Sequence, residues 1–238
     1  MDEINSFKKG LKDGLPICIG YFSVAFAFGI FAIENGLTVF QAVIISLLNL
    51  TSAGQLAAVP IIASGGTLFE LALSQLVINS RYSLMSVSLS QKFSKRVKLP
   101  HKLLIAYGNT DEIFAVSVSN EGEVGTKYML GIMLLPIIGW TSGTFLGGFV
   151  GNILPAMVTA ALGVAIYGMF VAIVVPVSKK EKMTALCVLL AIAISCAFRY
   201  IPLLKVVPSG FTVIICAVVA SAIFAIIAPI KTEEKEEE

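Results

Sequence analysis

LTSAGQLAAVP, residues Leu50–Pro60, lies between two apolar flanks, VFQAVIISLLN (39–49) and IIA (61–63). A helix that only had to sit in lipid would carry Leu and Val at its centre. This one carries Asn49, Thr51, Ser52, Gly54 and Gln55. Irregular backbone at bilayer depth is tolerated only where it is buried in protein or lines a cavity. The stretch therefore predicts a break, with one half-helix entering and another returning. Gly54 permits unusual dihedrals there, and Ser52 is placed to cap a helix starting near Ala53. The first amides of that half-helix would face inward and attract an anion such as a carboxylate. The plainer alternative is a continuous helix whose polar side chains bond to neighbouring helices.

The whole chain agrees with a membrane setting. Of 238 residues, 57% are hydrophobic and 13% charged, against about a quarter charged in soluble domains. Between Tyr128 and Val177 the only ionisable side chains are Tyr128 and Tyr167. The basic residues form short clusters between apolar runs rather than a face, which excludes a nucleic-acid partner. Cys18, Cys187, Cys196 and Cys216 lack metal or redox spacing and read as small core residues. With His101 the single histidine, no metal or cofactor site is expected. The apolar run after Lys8, Lys9 and Lys12 continues to Ile33, which fits a retained first span better than a cleaved leader.

Apolar runs occupy about 15–33, 38–63, 68–89, 103–119, 128–151, 153–177, 183–198 and 211–230. Three basic clusters should share the cytoplasmic side: Lys8/Lys9/Lys12, Lys92/Lys95/Arg96/Lys98/Lys102 and Lys179/Lys180/Lys182. Each pair of clusters must then be separated by an even number of crossings, although three runs lie between each pair. One run of each three should fail to cross: 38–63 with its polar centre, and 103–119 with Asn109-Thr110-Asp111-Glu112. The expectation is an all-α, polytopic membrane helical bundle with discontinuous or re-entrant helices, six spans and two re-entrant segments. Residues 1–238 form one integral membrane transport domain, both termini cytoplasmic, with 231–238 an acidic tail. Eight full crossings is the rival arrangement; it places 92–102 outside.

The third run supplies a polar face. Gln75, Asn79, Ser83, Ser86 and Ser90 recur every three or four residues. Arg81 lies about 200° around the helix from Asn79. An arginine at this depth needs a counter-charge or a wet cavity. It either forms a structural ion pair or holds a substrate carboxylate. Asp111 and Glu112 are the acids at comparable depth. Either can pair with Arg81, or carry a proton, since burial without a partner favours the neutral form of a carboxyl group. Glu34 and Glu70 sit at run ends and read as interface residues. The candidate substrate-binding set is thus Asn49, Ser52, Gly54, Gln55, Gln75, Asn79 and Arg81, with Asp111 and Glu112 for proton coupling. Gly139, Gly143, Gly147 and Gly151 make a smooth groove for close helix approach, either within the chain or to a partner subunit.

Four stretches together resemble the AzlC family, the large subunit of a branched-chain amino acid exporter. They are FKKGLKDGLPICIGYFSVAFAFG (7–29), SAGQLAAVP (52–60), NSRYSLMSVSL (79–89) and NTDEIFAVSV (109–118). Tyr82 departs from the pattern, where the family often has a histidine. The resemblance implies export of hydrophobic amino acids and a small AzlD-like membrane subunit. It adds a substrate to what the residues themselves show, which is a polar, charged interior. Three function classes accommodate that interior: a secondary exporter, a channel, and a non-transporting scaffold subunit. Saturable counterflow separates the first from the second. Dispensable interior polar residues would mark the third. An enzyme is not expected, as no nucleophile or histidine motif stands out.

Overall fold

The computed structural model describes residues 6–151 and 181–228, with scattered positions between. The acidic tail and most of the 153–177 run lie outside the described residues. The described chain is helical: α1 (Phe7–Glu34), α2 (Val39–Leu48), α3 (Ser52–Ala63), α4 (Leu68–Gln91), α5 (Leu99–Tyr107), α6 (Asp111–Ser119), α7 (Thr126–Gly151), α8 (Lys182–Tyr200) and α9 (Ser209–Ile227). Four of these, α1, α7, α8 and most of α9, are long and apolar enough to cross a membrane. Helix α4 has 24 residues, about 36 Å of rise, and is long enough but more polar.

Helices α1 and α7 form the central unit. A Cβ on Gly139 would lie 2.6 Å from Cys18 O, one on Gly143 2.5 Å from Phe22 O, and one on Gly147 1.9 Å from Phe26 O. In return, a Cβ on Gly10 would meet Tyr128 O at 2.3 Å and one on Gly29 would meet Thr144 O at 2.3 Å. The residue numbers rise together, so the two helices are parallel and touch backbone to backbone. This corrects one of the two readings of the glycine groove. Gly139, Gly143 and Gly147 are covered by α1 of the same chain, with Gly151 beside Ile30, and do not offer that face to a subunit.

The path between two parallel helices requires an odd number of full crossings, and α4 supplies it. The turn after α4 pairs with the turn before α7, through Ser94 N to Val124 O at 3.0 Å and Val124 N to Lys92 O at 2.8 Å. Lys9 Nζ donates to Asn120 Oδ1 at 2.9 Å, and Lys92 Nζ to Asn120 O at 2.7 Å. The starts of α1, α5 and α7 and the ends of α4 and α6 therefore share one face. Asp13 accepts from Lys9 and from the Tyr128 hydroxyl in the same network. The α5–α6 pair enters and leaves by that face. At the other face, Val39 at the start of α2 lies beside Gly148 near the end of α7, and α3 turns through Gly65 and Gly66 into α4. Gly65 has φ +70°, the left-handed conformation that glycine adopts without strain. The α2–α3 pair is thus a hairpin of opposite orientation. With 10, 12, 9 and 9 residues in α2, α3, α5 and α6, each arm reaches about half the thickness of a bilayer.

Helix α9 packs on α8, α3 and α4. Its first turn is anchored by Glu70, whose carboxylate accepts from Gly210 N at 2.8 Å and is only 4% exposed. The expectation that Glu70 is an interface residue is corrected: it neutralises the positive end of α9. Because α9 starts at the face away from the basic one and α8 ends beside it, Lys182 at the start of α8 returns to the basic face. The four cysteines are free thiols, with Cys196 on an exposed surface rather than in a core. Side-specific labelling tests this arrangement. In a cysteine-free background, Ser94→Cys and Ser64→Cys are expected to react from opposite sides of the membrane; reaction from one side would remove α4 as a crossing.

Candidate functional site

The two hairpin tips are buried, as irregular backbone at this depth must be. Thr51, Asn109 and Thr110 are each 4% exposed. Thr51, rather than Ser52, caps α3, accepting from Gly54 N at 3.4 Å. Gly54 is helical, and positive φ among the described residues is confined to Gly36, Gly65 and Gly122. Its glycine serves a close approach instead: a Cβ there would lie 2.6 Å from Gln75 Oε1. Gln75 Nε2 donates to Gly54 O at 2.9 Å, and Gln75 Oε1 accepts from Asn49 Nδ2 at 3.0 Å and Asn79 Nδ2 at 3.1 Å. One glutamine on α4 thereby holds both sides of the first break. At the second break Asn109 Nδ2 donates to Ser86 Oγ at 3.3 Å, again on α4. The tips also touch each other, Tyr107 OH donating to Leu47 O.

Where the tips meet α1, α4 and α7 there is a cavity of about 420 Å³, within the usual size of small-molecule sites. Pro16, Ile17, Gly20 and Val24 of α1, with Leu50 and Trp140, form its apolar wall. Ser52 faces it from one hairpin, and Thr110, Asp111 and Glu112 from the other, with Tyr21 and Tyr82 between. The N-terminal ends of α3 and α6 both open on this space. They differ electrically. Helix α6 carries Asp111 and Glu112 in its first turn, which answer its own positive end, whereas the first turn of α3 holds no acid. The anion-attracting terminus is therefore that of α3.

Arg81 Nη2 lies 2.9 Å from Asp111 Oδ2, with its guanidinium over the Tyr82 ring at 5.0 Å from the centroid. The two side chains keep 49% and 43% of their surface uncovered, so the pair is open enough to exchange partners. Glu112 accepts from the Tyr21 hydroxyl, which also lies 2.6 Å from Thr110 Oγ1. As ionised groups, two carboxylates against one guanidinium leave the site one negative charge in excess. On the far wall, Trp140 Nε1 donates to Gln55 Oε1 at 3.2 Å, and Ser46 Oγ to the same oxygen at 3.2 Å. Trp140 meets Tyr21 edge to face at 5.1 Å. A continuous run of contacts, Gln55–Trp140–Tyr21–Glu112, thus joins one hairpin to the other across the α1–α7 unit.

Of the residues singled out in the sequence, Ser52, Asp111 and Glu112 line the cavity. Asn49, Gly54, Gln75 and Asn79 stand behind it and lock the first break to α4. Gln55 is fully buried and orients Trp140. Arg81 is engaged by Asp111, the ion-pair reading of the two that the sequence left open. The sequence reading missed Tyr21, Trp140, Thr110 and Gly20. Trp140 is the single tryptophan, centred in an apolar run where an indole N–H needs a partner, and that was the available signal. Nothing marks Gly20 without its surroundings.

The AzlC protein family matches residues 16–154, which contain every residue of the cavity. The chain is 32% identical to the inner membrane protein YgaZ of Escherichia coli K12, over 79% of this chain and 78% of that protein. It is 33% identical to an uncharacterized membrane protein of Archaeoglobus fulgidus, over 75% and 79% of the two chains. It is 22% identical to the branched-chain amino acid transport protein AzlC of Bacillus subtilis 168, over 74% and 70%. No solved structure matches the chain.

Proposed function

The chain belongs to the AzlC family, a family of membrane transport proteins, and from that premise we propose that it exports branched-chain or other hydrophobic amino acids as a secondary transporter. Residues 1–238 act as one integral membrane transport domain of the cytoplasmic membrane, together with a small AzlD-like membrane subunit. The three lysine-rich clusters and both termini face the cytoplasm.

One observation carries the substrate reading: the lining of the mid-depth cavity is divided in the way an apolar amino-acid zwitterion is divided. Asp111 and Glu112 offer carboxylates to an ammonium group. The acid-free N-terminus of α3 at Ser52 offers amides to a carboxylate, as half-helix termini do in other transporters. The wall of Pro16, Ile17, Val24 and Trp140 receives an aliphatic side chain. Arg81 neutralises Asp111 while the site is empty and can release it when the ammonium arrives. Asp111 and Glu112 are also the groups on which a coupled proton would travel. The two hairpins, entering from opposite faces, are the elements that open to either side, against the α1–α7 pair as the fixed frame.

Counterflow in proteoliposomes containing the chain with its small subunit tests this. Leucine, isoleucine or valine inside the vesicles is expected to drive saturable uptake of labelled leucine, with N-acetyl-leucine and leucinamide failing to compete. Linear, non-saturable flux would instead establish a channel, and competition by both blocked analogues would remove the two-ended site.

A further inference from the structure

Helix α1 contains a glycine for which its packing gives no reason. Gly10, Gly14 and Gly29 each press against the α7 backbone, and a Cβ on any of them would come within 2.3–2.6 Å of it. Gly20 is different. It lies about 200° around the helix from Cys18, which faces α7. A Cβ on Gly20 meets no described atom within 4 Å. Its φ is not positive, so the backbone does not require glycine either. Glycine in a helix interior is nevertheless unfavourable relative to every other residue but proline. What Gly20 does touch is the cavity, whose lining it shares with its α1 neighbours Ile17, Tyr21 and Val24.

We infer that Gly20 is the specificity-determining position of the site: its missing side chain is the space into which the substrate's own side chain fits. This rests on the amino-acid reading above and deepens it. The groups that grip the ammonium and carboxylate are common to all amino acids, so they cannot discriminate among them. Discrimination falls to the apolar wall. Pro16 and Trp140 are rigid, and Trp140 is fixed by its bond to Gln55. Gly20 leaves the gap in that wall. Each carbon added at position 20 removes room for one carbon of substrate. A methylene misfit in an apolar pocket changes discrimination by roughly 10–200-fold.

The test is counterflow of alanine, valine, leucine and phenylalanine by the full complex carrying the native chain, Gly20→Ala or Gly20→Val. The loss is expected to grow with substrate size. For Gly20→Val, leucine exchange should fall by at least about tenfold relative to alanine exchange, with Gly20→Ala intermediate. Both variants should melt at or above the native temperature, because either residue is the better helix former. An equal loss for all four substrates, or no loss for any, with native exchange intact, overturns the role of Gly20 and leaves the transport reading standing. Failure of the native complex to exchange any of the four overturns the transport reading, and this inference with it.

Discussion

Asp111→Asn is expected to lower amino-acid exchange by roughly 10–150-fold, the factor corresponding to loss of one charge-assisted hydrogen bond of about 1.5–3 kcal/mol. Two effects combine. The substituted side chain is nearly the same size, so the cavity keeps its shape. The ammonium of the substrate, however, loses one of its two carboxylates. At the same time Arg81, which lies 2.9 Å from Asp111, loses its counter-charge in a setting where an isolated arginine is expensive. Freed, it is drawn to Glu112, the remaining acid of the site, and competes there with the substrate. The double variant Arg81→Gln/Asp111→Asn separates the two effects. It removes the stranded guanidinium together with its partner and returns the site to its native net charge, so it should recover the expression and melting temperature of the native protein while exchange stays low. Native exchange by Asp111→Asn would remove that carboxylate from substrate recognition. Recovery of exchange in the double variant would limit its role to neutralising Arg81.

Gly147→Leu is expected to abolish recovery of folded, monodisperse protein. A Cβ at this position would sit 1.9 Å from Phe26 O, far inside contact distance, and the obstacle is backbone rather than a movable side-chain end. Relief requires the two longest helices to separate, which breaks the same contact at Gly139 and Gly143. Overpacking a well-packed core ordinarily costs about 1–3 kcal/mol. Here several close approaches fail together, and no apolar driving force exists in lipid to replace them. Gly148→Ala is the control one residue along, because its Cβ would find nothing nearer than Val39 Cγ1 at 3.4 Å. Size-exclusion profiles and melting temperatures should show Gly148→Ala near native and Gly147→Leu lost. Equal behaviour of the two would mean that α1 and α7 do not pack in this register.

The amino-acid sequence by itself determined that the chain lives in a membrane and at which positions its helices could break. Both conclusions rest on local physics: hydrocarbon gives unpaired polar groups no partner, so Asn49–Gln55 and Asn109–Glu112 had to mark either a cavity or a break. Charge alternation then favoured six spans over the rival eight, because lysines at 92–102 cannot share a side with those at 8–12 unless one of the intervening runs turns back. The contacts among Lys9, Lys92 and Asn120 give that arrangement its physical form.

Only the tertiary structure decided what each polar residue does. Asn49, Gln75 and Asn79 have the composition of a binding site, yet the hydrogen bonds they make join them to one another and to Gly54. Sequence spacing reports which face a side chain is on, but not what occupies the space opposite. For the same reason the glycine groove could not name its occupant, which proved to be α1 of the same chain. The cavity itself is assembled from residues of α1, α4, α7 and both hairpins. Its apolar wall is made of residues ordinary in any membrane span, and Gly20 acquires meaning only from the empty space beside it. Local chemistry specifies the elements; a site formed by five of them is a property of their convergence.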